Sequence, residues 1–378
     1  MLAALGLVLA AATALFLGRD DEAPPPPSGP TPHAAHAVPY DPQYAFKRPI
    51  PADPELEPRS DAIAARLAEN RSRGAVTLAS RSDVPPVYVV GTGDPFYSVT
   101  VGGESRRFRV PEGARPGDGA DHPLVLLDPR HPDYGRATEL RLFRAEVNEG
   151  ARRLAGDGAG LFHYNNDGAA VNPDGSRSEA QPFAGIGTGS GLSILAGLIR
   201  PDEVRAGEIR HALRFAYSAP DFSDRFRAPA ISTDQPKDTE TRDPSSAMDM
   251  GMRLQLDPAV DCDARTVPGR SSGSRETRFL RMICRALQDY GMIAVDGTGE
   301  NGLVLMMEHT ETAAWPRIVG DERFDSYSWL VRDDGVPRDG TSRDPSSGIP
   351  WDRCRVLKLS VPRSIPARTT SSGASGDR

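Results

Sequence analysis

Four carboxylates beside apolar strand-like runs, Asp128, Glu139, Asp296 and Glu308, and one histidine within such a run, His211, are the residues best suited to acid–base chemistry. Apolar surroundings penalise the charged form of a carboxyl group, and an imidazole titrates near neutrality, so a His–carboxylate pair can exchange a proton at ordinary pH. That chemistry is hydrolysis or elimination, and the catalytic candidates are His211, Asp128, Glu139 and Asp296. In a strand over Ile209–Tyr217, His211 shares a face with Ile209, Leu213 and Phe215. A lone histidine on such a face is more often a hydrogen-bonded core group, and both roles stay open.

The second feature is a glycine run, GTGSGLSILAGLIRPDEVRAGEIRHALRF, from Gly187 to Phe215. A dinucleotide fingerprint needs a third small residue where Ser190 or Leu192 falls, depending on the starting glycine, and both alignments fail. A phosphate loop needs a lysine that the run lacks. A nucleophile elbow needs G-x-S-x-G, but Ser190 is flanked directly by Gly189 and Gly191. The run reads as a tight turn that lets backbone pass closely. Ser190 would then cap a helix through Leu198, which Pro201 terminates or re-aims. Ser190, Arg214 and Trp351 are the binding candidates.

No metal or cofactor is expected. Asn165–Asp174 resembles part of a calcium loop, but aligning Gly168 with the turn glycine puts His163 where the first carboxylate belongs. Cys262, Cys284 and Cys354 have no C-x-x-C spacing, so structural zinc is not indicated. In an exported chain Cys262 and Cys354 could pair, leaving Cys284 as a packed thiol at the border of a helical stripe.

These residues must be positioned by a body that occupies part of the 378 residues. Leu2–Gly18 carries no charge and no proline, at a length between a signal core and a membrane span. Residues 1–19 therefore read as an export signal or anchor, and 20–58 as a proline-rich extended linker. Residues 59–363 read as one β-rich domain, and 364–378 as a disordered tail. The expected location is secreted or at the cell surface, with membrane contact only through the N-terminal segment. A net charge of −7 gives no basic footprint for nucleic acid.

Within the domain, Ser60–Asn70 has the cap and spacing of a short helix. Strand-like runs follow at Val87–Val90, Phe96–Val101, Arg107–Val110, Leu124–Leu127 and Glu139–Glu146. Further runs lie at Ile209–Tyr217, Met252–Leu256, Met292–Val295, Leu303–Glu308 and Arg353–Leu359. From Ser274 to Tyr290, Phe279, Ile283, Ala286, Leu287 and Tyr290 repeat at helical spacing, and Gly291 stops the pattern. Short, turn-punctuated strands with one amphipathic helix predict a mainly antiparallel, jelly-roll-like β-sandwich.

Several blocks resemble a poorly characterised group of bacterial secreted proteins. They are GSGLSILAGLIRPDEVRAGEIRHALRF, GADHPLVLLDP (Gly119–Pro129), MGMRLQL (Met250–Leu256), ALQDYGMIAVDGTG (Ala286–Gly299) and IPWDRCRVL (Ile349–Leu357). Together they span most of Gly119–Leu357. Members occur beside carbohydrate-binding modules, so the resemblance implies glycan association. This chain departs from the pattern at Arg210, where the group has Asp before the histidine, and at Ala228, where it has an aromatic. It also lacks the group's tryptophan near Glu139–Phe143. The expectation is a glycan-active hydrolase or lyase, with cell-wall or environmental glycan as partner. The alternative is a non-catalytic envelope protein that binds a surface partner.

Overall fold

The structure is a computed structural model that describes residues 45–73, 76–163, 188–233, 235, 241–267, 269–298, 302–320 and 348–358. The apolar segment Leu2–Gly18, residues 20–44 of the proline-rich linker, the segment Asn165–Asp174 and the tail from Ser364 lie outside the described residues. Among the described residues, no helix is long and apolar enough to cross a membrane.

Most of the turn-bounded runs become strands, but residues 209–212 precede the strand that begins at Leu213, so His211 is not on a strand face. In chain order they are β1 (Val76–Ala79), β2 (Val87–Val89), β3 (Phe96–Val101), β4 (Glu104–Arg109) and β5 (Leu124–His131). Then come β6 (Arg136–Phe143), β7 (Glu146–Asn148), β8 (Arg153–Ala155) and β9 (Gly158–His163). The later strands are β10 (Leu213–Ser218), β11 (Phe222–Phe226), β12 (Met248–Met250) and β13 (Arg253–Leu256). Last are β14 (Met292–Thr298), β15 (Leu303–Met306) and β16 (Cys354–Val356). The helices are α1 (Ser60–Arg73), α2 (Pro201–Ala206), α3 (Arg275–Asp289) and α4 (Trp315–Val319).

The strands do not form the expected antiparallel sandwich. They build four sheets ordered β1-β15-β10-β14-β13-β16, β11-β12, β2-β5-β6-β9 and β4-β3-β8-β7. Each sheet contains a parallel pair: β1/β15 and β10/β14 in the largest, then β11/β12, β2/β5 and β3/β8. The fold is therefore mixed α/β. Side-chain alternation fixes which face a residue takes but carries nothing about the direction of the neighbouring strand. Parallel pairs need long crossovers, and α3 lies in the one between β10 and β14.

Three of the hydrophobic cores explain the layering. One face of the six-stranded sheet, with Leu213, Phe215, Met292 and Leu305, packs against the apolar side of α3 and against Trp315 and Trp351. The opposite face, with Ala79, Ala216 and Met306, meets Val125 and Leu127 of β5 across Ile194, Leu195 and Leu198. A further core lies between the two four-stranded sheets, built from Val99, Phe108 and Leu154 on one and Leu124, Leu126, Leu140 and Leu142 on the other. β6 is thus buried on both faces and sends Glu139 and Arg141 toward the six-stranded sheet.

The α3 helix matches its sequence pattern. The Ser274 hydroxyl accepts from the Thr277 N–H at its N-cap, Phe279, Ile283 and Leu287 are buried, and Gly291 follows at φ 71°. Chain from Ala45 already packs on the body: Phe46 is fully buried, its carbonyl accepts from Ala212 N–H, and Arg253 reaches the Arg48 carbonyl.

The cysteine pairing is not Cys262–Cys354. Cys284, on α3, is bonded to Cys262, with Cα atoms 5.7 Å apart. The loop after β13 folds back along α3, and the Gln288 amide holds it by donating to the Asp257 and Val260 carbonyls. Cys354 is a buried free thiol, pushed up to about 12 by burial and therefore unreactive. One disulfide is consistent with an extracellular location.

The glycine run is the clearest local departure. Residues 188–199 form successive turns instead of a helix capped by Ser190, and Pro201 opens α2 instead of ending a helix. Gly191 and Gly197 sit at φ 71° and 76°, where a Cβ would fall 2.6 Å from the Ile231 side chain and 2.7 Å from Arg214 N. Buried turn backbone needs partners for its carbonyls. Arg214 supplies them: its guanidinium donates to the Ser193, Ile194 and Ala196 carbonyls.

Candidate functional site: an acidic cleft over a bulged strand

The open cleft of interest lies over the six-stranded sheet, with a volume of about 920 Å³. Its floor is a row across four adjacent strands, Thr77, Val304, Ala216 and Asp296, each paired with the next. Small and aliphatic side chains leave the space open. Asp296 reaches this floor because of a bulge: Phe215 pairs with Ala294, but Ala216 pairs with Asp296. Val295 is the extra residue and packs with Ile293 in a separate apolar cluster. Bulges re-aim side chains in this way, often beside active sites.

The glycine turn secures that carboxylate. Ser190 N–H donates to the Val295 carbonyl at 2.9 Å, and Gly189 N–H donates to Asp296 Oδ1 at 3.2 Å. The turn therefore holds the bulged strand and one oxygen of Asp296, and no phosphate or nucleophile chemistry is needed to explain its glycines.

Two loops build the rim, residues 81–84 and 117–122. Asp83 N–H donates to the Asp118 carbonyl, Asp121 N–H donates to Asp83 Oδ1, and Arg81 pairs with Asp118 at 3.3 Å. Asp83 (φ 58°) and His122 (φ 36°) hold left-handed backbone, a strained state for side-chain-bearing residues that tends to occur at functional sites. Among the described residues, Asp83, Asp118, Asp121 and Asp296 all line the cleft, against one lining cation, Arg81.

The carboxylates differ in environment. Burial, seconded by Asp83, raises the Asp121 pKa above its ordinary value despite Arg141 and Arg144. Arg141 is buried on β6; burial lowers its pKa, while Asp296, Asp121 and Glu139 act in the opposite direction. One guanidinium thus stands within electrostatic reach of three carboxylates. Such an arrangement allows one carboxyl group to keep a proton while another stays ionised.

Of the sequence candidates, Asp296 lines the cleft. Ser190 is buried beside it, its hydroxyl 2.7 Å from that of Thr188. Glu139 lies deeper, fully buried, and accepts the Ser193 hydroxyl. Asp128 is on the far end of β5, paired with Arg109 at 3.0 Å. Glu308 is locked to Arg200, and Trp351 is fully buried in the core.

His211 does meet a carboxylate, but not one of those expected. Its Nε2 lies 2.9 Å from Glu203 on α2, and its Nδ1 lies 2.8 Å from the Ala212 carbonyl. Burial would raise Glu203, but His211 and the Arg200 N–H bring it below the usual carboxylate range. The pair is 7% and 24% exposed, does not line the cleft, and ties α2 to the start of β10. The sequence pattern does not single out Asp121, Asp83, Arg81 or Arg141. Asp121 lies in the block GADHPLVLLDP, yet nothing in its spacing marks it off from the other aspartates.

Among the described residues, no group of three or more His, Cys, Asp or Glu side chains is placed to hold a metal ion. No protein-family model, curated protein or solved structure matches the chain.

Proposed function

We propose that this protein is an extracytoplasmic glycan hydrolase whose active site is the acidic cleft. The observation that carries the reading is the pair Asp121 and Asp296: two carboxyl groups lining one cleft, one of them shifted toward its protonated form and both influenced by Arg141. Glycoside hydrolysis uses such a pair. Protonated Asp121 gives its proton to the glycosidic oxygen as the bond from the anomeric carbon breaks. Asp296 takes a proton from the water whose hydroxyl adds to that carbon. The Gly189 N–H holds one oxygen of Asp296 and so orients it.

The acidic lining favours a neutral or amino sugar over a uronate, which argues for hydrolysis over lyase chemistry. The resemblance to secreted proteins with carbohydrate-binding modules points to the same substrate class. The disulfide and the apolar segment Leu2–Gly18 support export, with that segment as the anchor. Fractionating cells that express the full gene tests the export: soluble cytoplasmic protein with an intact N-terminus refutes it.

To test the activity, the purified chain is incubated with a panel of neutral and amino-sugar polysaccharides, and new reducing ends are counted. The expected result is release by the wild type and a loss of about 10²-fold or more in Asp296→Asn. Ligand binding without any release would favour the non-catalytic alternative. Full activity in Asp296→Asn would remove the cleft from the chemistry.

A further inference from the structure

The outer face of the β4-β3-β8-β7 sheet gathers arginines on a chain of net charge −7. Its inner face is apolar, with Tyr97, Val99, Phe108 and Leu154 in the core between the four-stranded sheets. The pairing register fixes what the other face carries. One rung is Arg107, Ser98, Arg153 and Asn148, each opposite the next across four strands. Flanking it are Arg109 opposite Phe96, and Ser105 opposite Thr100 with their hydroxyls 2.9 Å apart.

The arginines differ in how far they are engaged. Arg109 is paired with Asp128, and Arg107 is 65% exposed with only a distant Asp133 at 3.8 Å. Arg153 is exposed and makes no ion pair among the described residues. The Arg107 and Arg109 guanidiniums lie 4.8 and 4.6 Å from the Phe96 ring centroid, which orders them. Glu146, opposite Ala155, is the one acidic side chain that the register puts on this face. Arg107 and Arg153 are two strands apart, about 10 Å by ordinary strand spacing.

We infer that this face docks an anionic polysaccharide that bears carboxylates along its length. The planar fork of arginine pairs with a carboxylate through two parallel hydrogen bonds, and the interleaved Ser98, Thr100, Ser105 and Asn148 suit sugar hydroxyls. A membrane-binding face would add exposed apolar groups to enter the lipid, but the single aromatic here is half-buried under two guanidiniums. A face for single-stranded nucleic acid would carry several free stacking rings. This surface is separate from the cleft, needs no catalysis, and would hold the protein on a charged polymer that is not its substrate.

The test measures binding of the full chain to polygalacturonate, with dextran as the neutral control. Anionic phospholipid vesicles and duplex DNA serve as competing polyanions. The expected result is salt-sensitive binding to polygalacturonate and none to dextran. Affinity should fall about ten-fold or more in Arg107→Gln/Arg153→Gln, with the melting temperature unchanged because both side chains are exposed. Absence of binding, equal affinity in the double variant, or tighter binding to vesicles or DNA would each overturn the inference.

Discussion

Acid should loosen the β2-β5-β6-β9 sheet through His163. This residue ends β9, is 1% exposed, and packs its ring 4.2 Å from that of Tyr134, which in turn lies 4.7 Å from His131. Its Nδ1 shares a hydrogen bond of 3.0 Å with the Thr138 hydroxyl, and its Nε2 has no partner among the described residues. Protonation would put an N–H there with nothing to accept it. Burial first, then Arg136 and His131, lower the pKa from 6.5 to about 4. The folded state therefore binds fewer protons than the unfolded chain between these values. Stability is full above about pH 6.5, falls as the pH drops toward 4, and is flat for this group below that. At about 1.4 kcal/mol per unit, the loss is about 3 kcal/mol. Urea denaturation at pH 7 and pH 4.5 measures it. Carboxylates also begin to titrate there, so the comparison is with His163→Phe, which keeps the ring stack while Thr138 still donates to the Arg136 carbonyl. The variant should lose less stability on acidification than the wild type, by about 2–3 kcal/mol. Equal losses would refute the assignment.

Other consequences are open to the same measurements. Ile283→Ala, at the centre of the buried α3 stripe, should cost about 2–5 kcal/mol; a loss well under 1 kcal/mol would mean that this face is not packed as described. His211→Gln should cost about 1–3 kcal/mol by leaving a buried acceptor unmet, and should leave glycan turnover by the surviving folded protein unchanged. An early melt with intact turnover supports its structural role, whereas lost turnover in a fully stable variant contradicts it. Reduction of Cys262–Cys284, which closes a loop with a sequence separation of 22, should lower stability by about 3 kcal/mol. Identical denaturation curves with and without reductant would contradict the bond.

The elements that could be read from the sequence were those whose pattern is local. The Phe96–Val101 strand falls within its expected bounds, and the 274–290 periodicity becomes α3 because three- and four-residue spacing directly encodes one buried face. The glycine turn was legible as a close backbone approach, though the partner is the bulged strand at Val295 and Asp296. Pairing direction was not legible: Val76 meets Leu303 across more than two hundred residues, and nothing in either run states whether they lie parallel. The cysteine partner depended on how the loop after β13 folds along α3. At the site, Asp296 could be singled out by its apolar flank, but its companion Asp121 gains its raised pKa from loops brought over it by the fold. His211 stands out as a lone histidine in an apolar run, but its partner Glu203 comes from α2, which the alternation of that run does not encode.

The most direct test of the cleft as a glycan-hydrolysing site is leaving-group rescue in Asp121→Asn. On a natural oligosaccharide, whose leaving oxygen needs a proton, the variant should lose about 10²–10⁴-fold in kcat/KM. On an aryl glycoside of the same sugar, with a leaving group acidic enough to depart unprotonated, it should approach the wild-type rate at an unchanged melting temperature. Equal loss on both substrates, or no loss on either, would contradict Asp121 as the proton donor.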